Sequence, residues 1–375
     1  MMNSVYGNSI RSFFLENEII SAKDGIYSIH RGIQTNDISF TPVKNFIESH
    51  KPKILYYFYP TEFSVEWLIE EVLSEDDSKR KNIENILLQN NTKFKLVIGS
   101  DNPTIYQKIN SNPPLIKNFE ILYWPTYLLW MTYEMMHDAL FVDGDTTEIY
   151  KINTITPNFE RLYVNYNNKP RFHRCLMMDY LYKNNLFEYG FNSWNQVQLD
   201  NGMGSSADVV PSNETNVSFK YWSEEFLSID GYMNPSKDFK DEHSYHLYHP
   251  NTFMALVGET AHGMSPITEK TYRCILQQQP FLAFGGINQN QELTKYGFKM
   301  YDEIFDYSFE SDPILENRIQ GVIDNLNNIK DKDYTELYQL IKPKLEYNQN
   351  LAHEIIKNDI YCPNELVDVA KKYFV

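Results

Sequence analysis

Six short runs of apolar, β-favouring residues constrain this fold most. Ile54–Tyr59, Phe94–Ile98 and Phe119–Tyr123 form a first series; Leu162–Tyr166, Phe253–Val257 and Phe281–Phe284 form a second. Each stops at turn chemistry, such as Pro60, Gly99-Ser100-Asp101-Asn102-Pro103, Trp124-Pro125 or Gly285-Gly286. Between them lie helical patterns: Ser64 through Leu73, Arg171–Asn184, Thr268–Gln277 and Gln291–Tyr296. Short, continuously apolar runs with helical connections predict parallel sheets covered by helices. Two such series predict an α/β chain of two Rossmann-like domains, facing across a cleft at the carboxyl ends of their strands, where open α/β sheets take their ligands.

The predicted division is 1–155, 156–345 and a C-terminal helical piece, 346–375, that packs back on the N-terminal domain. A length of 375 residues agrees with two domains at about 100–200 residues each. Phe298–Tyr301 reads as a last short strand, and the chain reads as helical from Pro313 onward. Residues 1–45 show shorter strands or loops without a clear place. The Gly-, Ser- and Asn-rich stretch from Gln198 to Pro250 reads as a long loop or insertion.

A formal net charge of −16 gives no global field for attracting nucleic acid or anionic lipid. Three widely separated cysteines form neither a disulfide framework nor a zinc spacing. No window approaches the ~18 apolar residues of a membrane span, and no secretory signal opens the chain. The expectation is a protein without a membrane span, cytoplasmic by default. Richness in Asn, Ile, Lys and Tyr hints at an AT-rich, viral genome, in which case the location would be host cytoplasm.

The segment Phe253–Gly286 carries the most chemistry. A strand runs to Glu259, a loop of small and polar residues follows, and a helix opens at Thr268-Glu269-Lys270. Thr268 suits an N-cap, because its hydroxyl can accept from a first-turn amide. The positive end of that helix, with Lys270 beside it, suits a diphosphate. Glu269 can accept hydrogen bonds from a ribose. The same residues are also compatible with ordinary capping, with Glu269 complementing the dipole and Lys270 in water. In Tyr163–Leu181, Arg171 and Arg174 open a helix on nearly one face. Cations there ask for an anionic partner: either a nucleotide diphosphate or nearby Asp179 or Glu188.

The Glu259-to-Lys270 segment resembles the donor-site signature of the alpha-1,3-fucosyltransferase family and related GT-B enzymes. In those, a strand ends in Glu-Asn-Ser, and an aromatic-aliphatic-Thr-Glu-Lys helix start follows ten residues on. Here Thr260-Ala261 stand for Asn-Ser, and Pro266 stands for the aromatic residue. The stretch Tyr296–Ser311 resembles one that follows the donor motif in phage and bacterial relatives. The resemblance implies a metal-independent, inverting transferase with no cofactor beyond its substrate, a GDP- or UDP-linked sugar. It implies that Glu259 and Glu269 contact sugar and ribose, that Lys270 contacts the diphosphate, and that Arg171 or Arg174 is the phosphate-binding arginine. The acceptor, a glycan, a protein or a modified base, would be presented by the N-terminal domain. The base that deprotonates it would sit at a strand end there, with Glu62 and Asp101 as the candidates.

Two rivals stay open. Asp143-Gly144-Asp145 after an apolar run matches the Asp-x-Asp device with which GT-A transferases hold a divalent cation, although Asp-Gly is also a common turn. The other rival is a non-catalytic binding protein that keeps a degenerate transferase fold.

Overall fold

A computed structural model describes residues 19–22, 25–30, 40–60, 77–99, 111, 116–138, 158–167, 172–194, 251–259 and 267–374. The fold is mixed α/β, built on two sheets. The chain separates into two compact units, Met1–Trp130 with Glu354–Val375, and Met131–His353.

The first sheet runs in sequence order through β1 (Ile19–Ala22), β2 (Ile26–His30), β3 (Ile54–Pro60), β4 (Lys93–Gly99) and β5 (Phe119–Tyr123). Strands β2 to β5 are parallel, and β1 joins β2 antiparallel. The antiparallel edge lies in the N-terminal stretch that the sequence pattern left unplaced. Right-handed crossovers that always step the same way put every connecting helix on one face. Accordingly α1 (Thr41–His50) and α2 (Asp77–Gln89) share one core with Leu55, Tyr57, Phe94, Leu96, Ile98 and Phe119.

The alternate residues, Tyr56, Phe58, Lys95, Val97 and Glu120, point to the other face, away from α1 and α2. Later segments cover it. Tyr127, in α3 (Tyr127–Asp138), packs against Phe58 with the rings tilted and their centroids 6.3 Å apart. Glu365, in α9 (Asn364–Phe374), accepts from the Tyr56 hydroxyl and from Lys95 Nζ, both at 2.5 Å. Lys95 also pairs with Glu120 at 2.8 Å. Through these contacts residues 354–375 belong to the N-terminal unit.

The second sheet is wholly parallel, in the order β7-β6-β8-β9. Its strands are β6 (Arg161–Asn167), β7 (Gly190–Trp194), β8 (Thr252–Gly258) and β9 (Phe281–Phe284). Helix α4 (Phe172–Lys183) links β6 to β7, and α5 (Glu269–Leu276) links β8 to β9. The strand order steps one way from β6 to β7 and the other way from β8 to β9. The direction therefore reverses between β6 and β8, which makes their carboxyl ends a topological switch point.

After β9 come the short α6 (Gln289–Glu292), α7 (Leu315–Ile329) and α8 (Tyr334–Lys357). Phe298–Tyr301 is not a strand. Its backbone polar groups are met another way. The Asn348 carboxamide accepts from Lys299 N–H at 2.7 Å and donates to Lys299 O at 2.8 Å. Asn290 brackets Ala283 in the same manner (2.7 and 2.9 Å), and Asn325 brackets Asp306 (2.7 and 2.9 Å). All three asparagines are buried. Each works as a one-residue strand edge, so irregular backbone is satisfied without a ladder. No helix among the described residues is long and apolar enough to cross a membrane.

Candidate functional site

The switch point gathers Arg174, Glu259, Thr268, Glu269 and Lys270 from three separate stretches of chain. Glu259 follows the last residue of β8 and is 0% exposed. Its Oε1 accepts from Thr268 N–H at 3.0 Å and from the Thr271 hydroxyl at 2.6 Å, and its Oε2 is bonded to the Thr268 hydroxyl. Burial raises the Glu259 carboxyl above its ordinary value, opposed by the nearby Lys270 charge.

Thr268 caps α5 as its sequence position predicts, its hydroxyl accepting from Lys270 N–H at 3.4 Å. Two first-turn groups of α5 are thus met within the chain, with Glu259 as an internal anion at the positive end of the helix. Lys270 Nζ lies 2.7 Å from Glu269 Oε1, 3.1 Å from Thr268 Oγ1 and 3.9 Å from Glu259 Oε2. Its side chain is 29% exposed, so the ammonium group borders solvent.

Arg174, in the first turn of α4, is 4% exposed and lies across the end of β8. Its Nη2 donates to Gly258 O at 2.7 Å and to Glu259 O at 3.2 Å, and its Nε donates to Gly258 O at 3.2 Å. Of the two acidic neighbours considered from sequence, Asp179 pairs with Lys183 at 2.5 Å. Gly258 leaves room for this crossing, since a Cβ there would lie 3.1 Å from Arg174 Cγ and 2.9 Å from Phe284 Cζ. His173, fully buried, is bonded through Nε2 to Glu259 O at 2.8 Å.

The carboxyl end of β6 adds side chains that the sequence pattern did not single out. Asn165 and Asn167 are buried and linked at 3.0 Å, and Asn165 reaches Asn192 of β7 at 3.3 Å. Their signal was local but weak: polar residues inside a run that otherwise reads as core.

At the end of β9, Gly285 has φ +114°, and a Cβ there would lie 3.0 Å from His173 Cδ2. The turn it opens is held by Arg318 of α7, whose Nη2 donates to Gly285 O at 2.5 Å. It is also held by Glu310, which accepts from Asn290 N–H at 2.8 Å and Gln291 N–H at 3.1 Å. Burial pushes the Glu310 carboxyl up to about 7, against the lowering effect of those hydrogen bonds. Sequence reasoning passed over Glu310 and Arg318, which lie 20 or more residues from the helix start they support. Among the acidic residues of the 296–311 stretch, Asp302 and Glu303 pair with Lys344 at 3.4 and 2.9 Å, and Asp306 accepts from Ser308 N–H at 2.8 Å.

Five sequence candidates, Glu62, Asp101, Asp143, Asp145 and Arg171, lie outside the described residues, as do 168–171 and 260–266 beside the cluster. Among the described residues no three His, Cys, Asp or Glu side chains group as metal ligands, and Cys175, Cys274 and Cys362 are free thiols. A surface groove of about 630 Å³, lined by Phe298, Lys299, Tyr307 and Lys344 among others, shares no residue with the cluster.

Compared with protein-family models, curated proteins and solved structures, the chain matches none.

Proposed function

We propose that the chain is a glycosyltransferase of GT-B type that moves a sugar from a GDP- or UDP-linked donor to an acceptor hydroxyl, with inversion and without a metal. One observation carries this reading. At the switch point of a parallel sheet, where α/β folds take nucleotides, a solvent-bordering lysine stands at a helix start beside buried Glu259 and Arg174. The Thr-Glu-Lys order at that start is the one in which the chain resembles fucosyltransferase donor sites.

In the reaction, a base takes the proton of the acceptor hydroxyl, whose oxygen attacks the anomeric carbon. The bond from that carbon to the diphosphate oxygen breaks, and the diphosphate leaves with the negative charge. Lys270 stabilises that developing charge, the step at which electrostatic help counts most. In this reading Glu269, now bonded to Lys270 through Oε1, accepts from a ribose hydroxyl. Arg174 holds the β8 carbonyls in place at the floor of the site, and Arg171 remains the candidate for direct phosphate contact. Glu62 and Asp101 remain the candidate bases, in the unit to which the acceptor is assigned.

The test is a thermal-shift panel of GDP-, UDP-, CMP- and dTDP-sugars, followed by product analysis with the stabilising donor. One nucleotide class should raise the melting temperature; at a hundredfold excess over Kd, the expected stabilisation is about 2.7 kcal/mol. A panel in which no nucleotide shifts the transition contradicts the proposal and favours a binding protein with other ligands.

A further inference from the structure

We infer that Glu310 and Arg318 are positioning residues of the switch-point site, fixing the turn Gly285–Asn288 and through it the His173–Glu259 layer on which the donor would rest. This inference rests on the donor-site reading. The two side chains are 1% and 3% exposed. They come from the 3-10 turn Ser308–Ser311 and from α7, and both act on the backbone around one turn.

The charges are arranged to suit that backbone. On its carbonyl side, Arg318 Nη2 donates to Gly285 O at 2.5 Å while Nη1 anchors to Asp312 O at 2.6 Å. On its amide side, the Glu310 carboxylate takes Asn290 N–H, the Asn290 carboxamide and Gln291 N–H at the start of α6. The Glu310 carbonyl accepts from Asn288 N–H at 3.0 Å, and Gln289 Oε1 accepts from Gly286 N–H at 3.2 Å. The Asn290 carboxamide then ties the turn back to Ala283 inside β9.

Taking two ionisable groups out of water is costly, and apolar packing could close a turn without that cost. What hydrogen-bonded charges add is a defined backbone position. Here the position matters because Gly285 abuts His173, and His173 holds Glu259 O at 2.8 Å beside the Arg174 guanidinium. A shift of the turn is therefore transmitted in one step to the end of β8, from which Glu259 organises the start of α5. Side chains that orient the groups contacting a ligand typically cost about tenfold to a hundredfold in affinity or activity when removed.

The experiment measures two quantities, calorimetric Kd for GDP, UDP, CDP and dTDP and melting temperature, in the full chain and four variants. Arg318→Met removes both clamping bonds, Arg318→Lys keeps the charge, and Gly285→Ala strains the turn from its other side. Asn348→Ala is the control, because it deletes an equally buried backbone bracket at Lys299, outside the site. For the diphosphate that binds the unmodified chain, Arg318→Met and Gly285→Ala should weaken affinity by about tenfold to a hundredfold. Arg318→Lys should recover part of the loss, and Asn348→Ala should lower the melting temperature with affinity unchanged.

Wild-type affinity in Arg318→Met overturns the inference and leaves the donor-site reading standing. So does an equal affinity loss in Asn348→Ala. If Arg318→Met does not fold, Arg318→Lys and Gly285→Ala decide in the same way. An unmodified chain that binds none of the four diphosphates sinks the donor-site reading itself, and the positioning role with it.

Discussion

Lys270→Ala should weaken nucleoside-diphosphate binding by about a hundredfold while leaving the fold intact. A charge-assisted hydrogen bond to phosphate is worth about 1.5–3 kcal/mol, and a hundredfold in Kd corresponds to about 2.7 kcal/mol. The cost to folding is small by comparison. Lys270 pairs with Glu269 at 2.7 Å, but its side chain is 29% exposed, and pairs with that much solvent contribute about 0–1 kcal/mol. The variant therefore separates binding from stability. Lys270→Arg, which keeps the charge, should retain part of the affinity. Unchanged calorimetric affinity in Lys270→Ala would remove the lysine from the site.

The second large effect is on stability, at Glu259. Glu259→Ala should destabilise the second unit by about 3 kcal/mol or more, because it strands a buried amide and opens a void where a carboxyl stood. The stranded group is Thr268 N–H, bonded to Glu259 at 3.0 Å, and the Thr271 hydroxyl loses its 2.6 Å partner as well. Glu259→Gln should cost less, since a carboxamide oxygen can still accept from Thr268 N–H and the Thr271 hydroxyl, although its NH2 cannot accept from the Thr268 hydroxyl as Oε2 does.

The same residue gives stability a pH dependence. Burial raises the Glu259 carboxyl, so in the interval above the unfolded value the folded chain keeps a proton that the unfolded chain has released. Stability accordingly falls as pH rises through that interval. Denaturant titrations across the acid range should show this slope in the wild type and a flatter one in Glu259→Gln. An equally steep slope in both would assign the dependence to other groups.

The parallel strands could be read in the sequence because their signal is local. Runs such as Phe253–Val257 (FMALV) have no polar face, and a sheet covered on both sides accommodates them. The run Phe298–Tyr301 (FKMY), with Lys299 inside it, reads as a half-apolar strand and is irregular chain instead, because the Asn348 carboxamide, 49 residues away, takes the place of a neighbouring strand. The antiparallel β1–β2 pair was hidden for the opposite reason: Ile19–Ala22 and Ile26–His30 are too short and too mixed to announce an alternation.

The site divides along the same line. Thr268 was recognisable as a cap, since a cap is defined by the next three residues. Arg174 was recognisable as a cation at a helix start that needs acceptors, but not the acceptors themselves, which are the carbonyls of Gly258 and Glu259 more than 80 residues on. Asn290, Glu310 and Arg318 left no pattern at all. A buried polar residue interrupts hydrophobic periodicity as any surface residue does, and only the tertiary fold distinguishes the two.

The central claim is that two linked phosphates are gripped at the carboxyl ends of β6 and β8. The most direct measurement is a crystal structure of the full chain soaked with the nucleoside diphosphate that shifts its melting temperature most. Diphosphate density within hydrogen-bonding reach of Lys270 Nζ, above Glu259 and the Gly285 turn, is the expected result. Density elsewhere, with Lys270 still paired to Glu269 and the switch point empty, contradicts it.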